Sequence, residues 1–328
     1  MADKRSVWYQ IRPNKFVDRR IFMDLAKRWT SHFCDARFFY ASMGASHMVD
    51  HNHFYRHTGN SRLFSFDGND ELIARQLINR PVDSAICETL WSNELPEHLE
   101  ILYERFQDAT NSIIWLDYMS TERFSQLQEL TELLKVSRSN DLIRITLNAH
   151  TANLGPSEFR DAGFESIGSF RASQARENLG EFYDETFEVL TGNTFPALLS
   201  NAVRLAENKA RDEGWEGQAT PVLLTEYQDG QRMFTATLVI SDGNFGDNLL
   251  GEWDFKPNDW TDILSINVPE LSAKEKFLLD QNISKTPENI IDDVGFLPGE
   301  DRQQAIKNVA SYKALHRFVP AFHNVEFV

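Results

Sequence analysis

The N-terminal part of the chain carries a hydrophobic pattern of helical spacing. Apolar positions in the segment 14–33 recur three and four residues apart, which predicts an amphipathic helix. They are Phe16, Val17, Ile21, Phe22, Leu25, Ala26 and Trp29. The next apolar run, 37–41, is short and almost uniformly hydrophobic after Arg37. Such a run predicts a buried strand.

From there to residue 148, short apolar runs alternate with segments of helical spacing. The runs predict strands at 37–41, 62–66, 82–87, 111–116 and 141–148. The segments between them predict helices at 45–58, 70–79, 96–107 and 120–136. Gly59, Asp67-Gly68 and Pro81 stand where elements are expected to end. This alternation predicts an α/β fold with a parallel sheet covered by helices on both faces.

The second half of the chain follows a different pattern. Residues 156–214 are mostly helical and rather polar, as in an insertion or cap. Two apolar runs, 221–227 and 232–240, flank Asp229-Gly230, a strong signal for a β-hairpin. Residues 269–318 return to helix, with breaks at two prolines. A mostly parallel sheet that ends in an antiparallel hairpin resembles the Rossmann-like fold of class I S-adenosylmethionine (SAM) methyltransferases.

The sequence predicts five segments. They are an N-terminal helical element over the cofactor site at 1–36, a Rossmann-like SAM-binding core at 37–155, a helical insertion or cap at 156–214, a terminal hairpin that completes the sheet at 215–268 and a C-terminal helical subdomain at 269–328.

Composition and charge narrow the classes of protein. In 328 residues there is no apolar run of about 18 residues, so no spanning helix is expected. Two cysteines exclude a disulfide framework and a four-cysteine zinc site, and they favour a cytoplasmic protein. The net charge of -16 disfavours a nucleic-acid partner. Residues 1–40 nevertheless hold nine basic and four acidic side chains, either as a basic lip over an anionic ligand or as a solvated helix face.

Three strand ends carry the candidate chemistry. Small residues around Gly44 follow the first strand, where ligands bind in doubly wound sheets. Asp67 lies 23 residues further on, near the spacing of an acid that binds ribose hydroxyls. Asp117 and Tyr118 end the fourth strand, where a carboxylate could bind the SAM amine or take a proton from an acceptor hydroxyl. Each feature has a structural alternative: a tight turn with good helix packing at Gly44, a surface turn at Asp67, and a helix cap at Asp117.

Histidines and a cysteine near these strand ends offer further alternatives. The histidines are His47, His51, His53 and His57, with Asp50 among them. His47 and His51 have the spacing of metal ligands on one helical face, but packing and hydrogen bonding explain such a cluster more simply, and no metal is expected. A histidine here, His47, is also a candidate catalytic base. Cys87, at the end of the third strand, is either an adenine-pocket residue or a buried structural thiol.

Three segments resemble a family of bacterial O-methyltransferases. The run Tyr40–Asp50 (YASMGASHMVD) is similar to a loop and helix of that family. Arg12-Pro13-x-Lys15, followed by Arg19, is similar to its N-terminal element. Leu271–Glu275 and the segment 312–322 are similar to its helical tail. The resemblance spans nearly the whole chain and implies a Rossmann-like fold, SAM as cofactor and methyl transfer.

The resemblance also implies roles for individual residues. The implied cofactor contacts are Arg12, Lys15, Ala41, Ser42, Gly44, Ser46, Asp50, Asp67 and Asp117. The candidate catalytic residues are Asp117 and Tyr118, which the resemblance implies near the transferred methyl group, and His47 from the histidine cluster. Two positions depart from the family pattern: Ser42 replaces a glycine, and Asp67 replaces the more usual Glu. The first departure leaves a hydroxyl facing the cofactor path, which weakens the expectation of tight SAM binding.

The sequence therefore predicts a SAM-dependent methyltransferase, O-directed, with an unidentified small-molecule or macromolecular acceptor and no membrane association. The resemblance further suggests a bacterial defence or mobile gene cluster. The alternative is a catalytically degenerate protein that binds SAM or another nucleotide and acts through protein partners as a sensor or assembly subunit. A pure interaction module would leave the spacing of Gly44 and Asp67 and the acid at Asp117 unexplained.

Overall fold

The computed structural model describes residues 12–33, 37–155, 163–243 and 250–320. The strands are β1 (Phe38–Ser42), β2 (Leu63–Asp67), β3 (Ile86–Thr89), β4 (Asn111–Asp117), β5 (Leu142–Asn148), β6 (Gln218–Asp229), β7 (Gln231–Ser241) and β8 (Leu264–Ile266). The helices are α1 (Pro13–His32), α2 (Val49–Thr58), α3 (Asp70–Asn79), α4 (Leu95–Arg105), α5 (Arg123–Val136), α6 (Ile167–Leu179), α7 (Phe195–Asp212), α8 (Ala273–Gln281), α9 (Pro287–Val294) and α10 (Arg302–Leu315).

The strands form one mixed sheet in the order β3-β2-β1-β4-β5-β7-β6-β8. β1 pairs in parallel with β2 and β4, and the β2–β3 and β4–β5 pairs are also parallel. β7 is antiparallel to β5. β6 and β7 are joined at Gly230, whose φ of +98° suits glycine. The predicted α/β fold, mostly parallel with a terminal antiparallel hairpin, is confirmed.

Alternating side chains of the strands separate two faces of the sheet. One face carries the main hydrophobic core, in which Phe39, Phe64, Ile114 and Ile145 are buried with side chains of α4, α5 and α7. On the other face, α2 lies against β1, and α3 lies against β2 and β3. α7 therefore belongs to a layer that covers the sheet, although its residues fall within the predicted insertion.

Three predicted boundaries are wrong, each for a local reason. The helix predicted at 45–58 begins only at Val49, because Ala45 and Met48 have φ angles of +43° and +48° that cannot continue a helix. The strand predicted at 82–87 is instead Ile86–Thr89. The segment before it turns, and the amide of Ala85 donates to the carbonyl of residue 82. The helix predicted at 120–136 begins at Arg123, because Glu122 has a ψ of 58°, which is not helical.

The described residues group into two compact units by their internal contacts. The smaller unit contains 12–22, 227–230 and 265–320, and the larger contains the described residues of 23–226 and 231–264. In the smaller unit, the Asp229 carboxylate accepts hydrogen bonds from the amides of Asn14 (3.3 Å) and Lys15 (2.7 Å) at the start of α1. The hairpin acid therefore caps this helix and complements the positive end of its dipole. No helix in the described part of the chain is long and apolar enough to cross a membrane.

Candidate functional site

The carboxyl ends of three neighbouring parallel strands form the candidate site. In the sheet order, β1 lies between β2 and β4. Ser42 at the end of β1 is in register with Ser65 of β2 and with Trp115 of β4. Residues two positions further along each strand therefore reach the same edge at the same level. These residues are Gly44, Asp67 and Asp117. The fold thus brings together three residues that the sequence presents far apart.

The loop between β1 and α2 passes over this edge in an unusual backbone conformation. Ala45 and Met48 both lie in the left-handed region, which costs a residue with a side chain about 1 kcal/mol. The loop is fixed from both sides: the Met48 amide donates to the Gly44 carbonyl (3.0 Å), and the Asn79 side chain donates to the Ser46 carbonyl (2.8 Å). The strained turn is therefore held in place by its surroundings.

Gly44 is required by close packing within the protein. A Cβ atom at this position would lie 2.2 Å from Ser65 Oγ and 3.3 Å from His51 Cε1. Ser65 is fully buried. A side chain at position 44 therefore requires the Ser65 hydroxyl to turn away or the neighbouring side chains to shift. The structural alternative from the sequence, a tight turn with good packing, accounts for this glycine, and a contact with a cofactor would be an additional role.

Ser42 and Ala41 present no exposed side chain. Ser42 is fully buried, and its hydroxyl has no hydrogen-bond partner among the described residues. The Ser42 side chain is therefore shielded, whereas the sequence suggested a hydroxyl facing the cofactor path; its contact with a cofactor stays a prediction. Ala41 packs in the main core. Both are buried residues of β1 that directly precede the loop between β1 and α2.

Asp67 at the end of β2 is half-buried. Burial raises the pKa of its carboxyl group, and the hydrogen bond from the Asn69 amide (3.0 Å) opposes that rise. Beside it, Trp91 covers Gly68 so closely that a Cβ on this glycine would lie 2.6 Å from the indole. Trp91 is 63% exposed. An accessible indole thus lies next to a half-buried carboxylate. The sequence pattern did not point to Trp91, although an aromatic residue just after β3 could have indicated it.

Asp117 and Tyr118 at the end of β4 point to opposite faces of the sheet. Asp117 is partly exposed, at the level of Gly44 and Asp67. The Tyr118 side chain is buried in the main core, and its hydroxyl donates to the Glu129 carboxylate of α5. Burial, with the Glu129 charge next, raises the pKa of Tyr118 well above its usual value. Tyr118 is thus engaged in the scaffold, and Asp117 is the better placed of the two for chemistry.

The histidines of the α2 region do not converge. His51 is buried, its Nε2 donates to the Phe64 carbonyl (2.9 Å), and burial lowers its pKa to about 4, so the ring is neutral. His57 Nδ1 lies 2.8 Å from the carbonyl of His53, within the same helix. His47 Nδ1 lies 3.1 Å from Ser46 Oγ in the loop and is partly exposed. Asp50, an implied cofactor contact, is buried.

No three metal-binding side chains among the described residues come close enough together to hold a metal ion.

Cys87 is a buried free thiol with its sulfur 3.9 Å from the Met48 sulfur, and burial raises its pKa. This environment is that of a structural cysteine. Cys34 lies outside the described residues.

The N-terminal basic residues are less available than their number suggests. Lys15 and Arg19 are buried at 2% exposure each, and Arg12 is partly exposed. Arg28 is exposed but pairs with Asp24 at 3.0 Å. Arg12 and Lys15 belong to the smaller unit, and their predicted contact with a cofactor stays a prediction.

Comparison with known proteins identifies a family. Residues 7–327 match the protein family described as Putative O-methyltransferase. Among curated proteins, none is similar enough in sequence to count as a relative.

Solved structures give weaker likenesses. An O-methyltransferase from Bacillus cereus in complex with S-adenosylhomocysteine (SAH) is 12% identical to this chain. The match covers 67% of this chain and 79% of that chain, with a TM-score of 0.35. The plantazolicin methyltransferase BpumL in complex with SAH is 10% identical, with 73% and 90% covered and a TM-score of 0.39. At such low identities and TM-scores, these similarities do not assign a function to this chain.

Proposed function

The chain belongs to this O-methyltransferase family, and on that premise we propose that it transfers a methyl group from SAM to an oxygen atom of an acceptor. The observation that carries the proposal is the common level of Gly44, Asp67 and Asp117 at one edge of the sheet. In open α/β sheets, ligands bind outside the carboxyl ends of the strands, as this edge would allow.

The residues at this edge suit a nucleoside cofactor. The Asp67 carboxylate can accept hydrogen bonds from both ribose hydroxyls. The Trp91 indole, held against Gly68 and largely exposed, offers a flat surface to an adenine ring. The loop from residue 43 to 47 brings its backbone close to the sheet edge, because Gly44 has no side chain there. The SAM amine and methyl end would then lie towards Asp117.

When bound, SAM supplies a methyl carbon attached to a positively charged sulfur. Transfer of the methyl group releases that sulfur as a neutral thioether, which is a good leaving group. The residues of this chain would contribute mainly alignment of the acceptor oxygen with that carbon. Asp117, partly exposed at the sheet edge, is the candidate to take the proton from the acceptor oxygen as the new bond forms. His47, partly exposed in the neighbouring loop, is the second candidate base.

The buried free thiol of Cys87 suits a reducing compartment such as the cytoplasm.

Calorimetric titration with S-adenosylhomocysteine (SAH) tests this proposal. Replacing Asp67 by Asn removes a charged acceptor of ribose hydrogen bonds, so SAH should bind about tenfold more weakly or worse. The matched control is Asp83→Asn, an exposed acid beyond α3. Absence of SAH binding to the folded wild type would contradict the proposed function. Equal binding by wild type and Asp67→Asn would contradict the assigned site.

A further inference from the structure

The loop that follows Asp117 is held by side chains from two different helices. This loop spans residues 118–122, between β4 and α5. Asn178 of α6 donates to the Thr121 carbonyl at 2.9 Å. Gln126 of α5 donates to Ser120 Oγ at 2.8 Å. The backbone next to the candidate base is therefore fixed from outside the strand itself.

Arg123 is the centre of these contacts. Its Nε donates to the Asn148 carbonyl at the end of β5 (2.7 Å), and its Nη1 donates to Asn178 Oδ1 (2.7 Å). The side chain is fully buried, and burial lowers its pKa to about 10. Its Nη2 is buried without a hydrogen-bond partner among the described residues. Both hydrogen-bond partners are neutral, and the guanidinium also lies over the Phe195 ring, 5.0 Å from its centre. A ring compensates a buried charge less than an ion pair does, which argues for a role of Arg123 beyond stability.

Asn178 completes the arrangement in only one orientation of its amide. Its oxygen accepts from Arg123, while its nitrogen donates to the Thr121 carbonyl. The planar guanidinium thus links the end of β5 with helix α6, and its Nη1 also donates to the Thr121 carbonyl of the loop after β4 (3.4 Å). α6 lies in the segment that the sequence assigned to an insertion or cap, so a side chain of that segment contacts the loop that follows Asp117.

We infer that Arg123 and Asn178 form a clamp that positions the loop 118–122 and, through it, Asp117 at the acceptor side of the site. The inference rests on the proposed function. Both are positioning residues and touch no reacting atom. A small misplacement of a reacting group costs a large factor in rate, so a rigid support directly after the candidate base has a chemical purpose.

Methyl NMR tests the clamp without a known acceptor. Met119 lies in the loop and is 39% exposed, so its methyl resonance reports on the loop in protein labelled with [methyl-¹³C]methionine. In Arg123→Gln and in Asn178→Leu, this resonance should move at least half of the way to its position in unfolded protein. Arg123→Lys, which keeps one donor, should give an intermediate shift. An unchanged Met119 resonance in both folded variants would overturn the clamp.

The second readout uses [methyl-¹³C]SAM as the probe. Bound to wild type, its methyl resonance should be displaced from the free position, and in Arg123→Gln the bound resonance should move back towards it while SAM still binds. The matched control is Arg138→Gln, which breaks an arginine contact with Glu100 (2.8 Å) near the amino end of β5. Its bound-methyl resonance should equal that of wild type. Equal shifts in wild type and Arg123→Gln would overturn the positioning role, whereas absence of SAM binding to wild type would overturn the proposed function and leave the Met119 result standing.

Discussion

Gly44 and Ser65 should be energetically coupled, because a Cβ at position 44 would lie 2.2 Å from Ser65 Oγ. In Gly44→Ala the Ser65 hydroxyl must turn away or its surroundings must shift inside a fully buried site, and overpacking of that kind costs about 1–3 kcal/mol of unfolding free energy. Ser65→Ala alone removes a buried hydroxyl that has no hydrogen-bond partner among the described residues. It should therefore leave the unfolding free energy unchanged or raise it by up to about 1 kcal/mol.

The double variant decides whether this contact is the cause. With Ser65 as Ala, the nearest remaining atoms to the new Cβ are Ser65 Cβ and His51 Cε1, both at 3.3 Å. These contacts are tight but bearable after small shifts, so Gly44→Ala should cost about 1–2 kcal/mol less in the Ser65→Ala background. Urea unfolding followed by circular dichroism measures all four corners of the cycle. Equal costs of Gly44→Ala in the two backgrounds would refute the reasoning.

Two additions sharpen the interpretation. Gly243→Ala is the matched control, because a Cβ there meets no atom within 4 Å, and it should change stability by less than about 0.5 kcal/mol. SAH binding then separates packing from ligand contact. If Gly44 serves packing alone, the double variant binds SAH like wild type. If the glycine also lies against the cofactor, binding stays weak although stability has returned.

Three further predictions concern other parts of the molecule. Gly68→Ala should push the Trp91 indole away, since a Cβ would lie 2.6 Å from it, and should weaken SAH binding with little loss of stability; unchanged binding would exclude Trp91 from the site. Burial raises the pKa of Asp141 from 3.8 to about 6, so the folded state favours the protonated carboxyl group. The stabilisation that this group contributes is present at low pH and is lost as the pH rises through 6. Lowering the pH from 7 to 5 should therefore gain about 1 kcal/mol from Asp141, seen as a pH-dependent difference between wild type and Asp141→Ser, and a difference constant with pH would contradict it. Asp229→Asn should lose about 1 kcal/mol by weakening the cap of α1, whereas the exposed acid in Asp242→Asn should matter little in the same unfolding assay; equal losses would remove the cap from the account.

The sheet could be predicted from the sequence because its strands are almost uniformly apolar and the segments between them have helical spacing. Gly44, Asp67 and Asp117 could be selected because each follows a strand, and parallel strands end at one edge. The backbone of the β1–α2 loop could not be predicted, since Ala45 and Met48 are ordinary helix formers that tertiary contacts hold in the left-handed region.

The clamp at the end of β5 had no signal in the sequence either. Arg123 and Asn178 are 55 residues apart in sequence and share no motif. Their meeting depends on where α6 packs, which no local pattern determines. Likewise, the buried hydroxyl of Tyr118 follows from the strict alternation of sides along β4, whereas its partner Glu129 becomes visible only when α5 is in place.

A crystal structure of the protein with SAH tests the central claim most directly. The account predicts SAH at the carboxyl ends of β1 and β2, with the ribose hydroxyls on the Asp67 carboxylate, the adenine beside the Trp91 indole and the sulfur towards Asp117. SAH bound elsewhere on the protein, or with its ribose away from Asp67, would contradict the account.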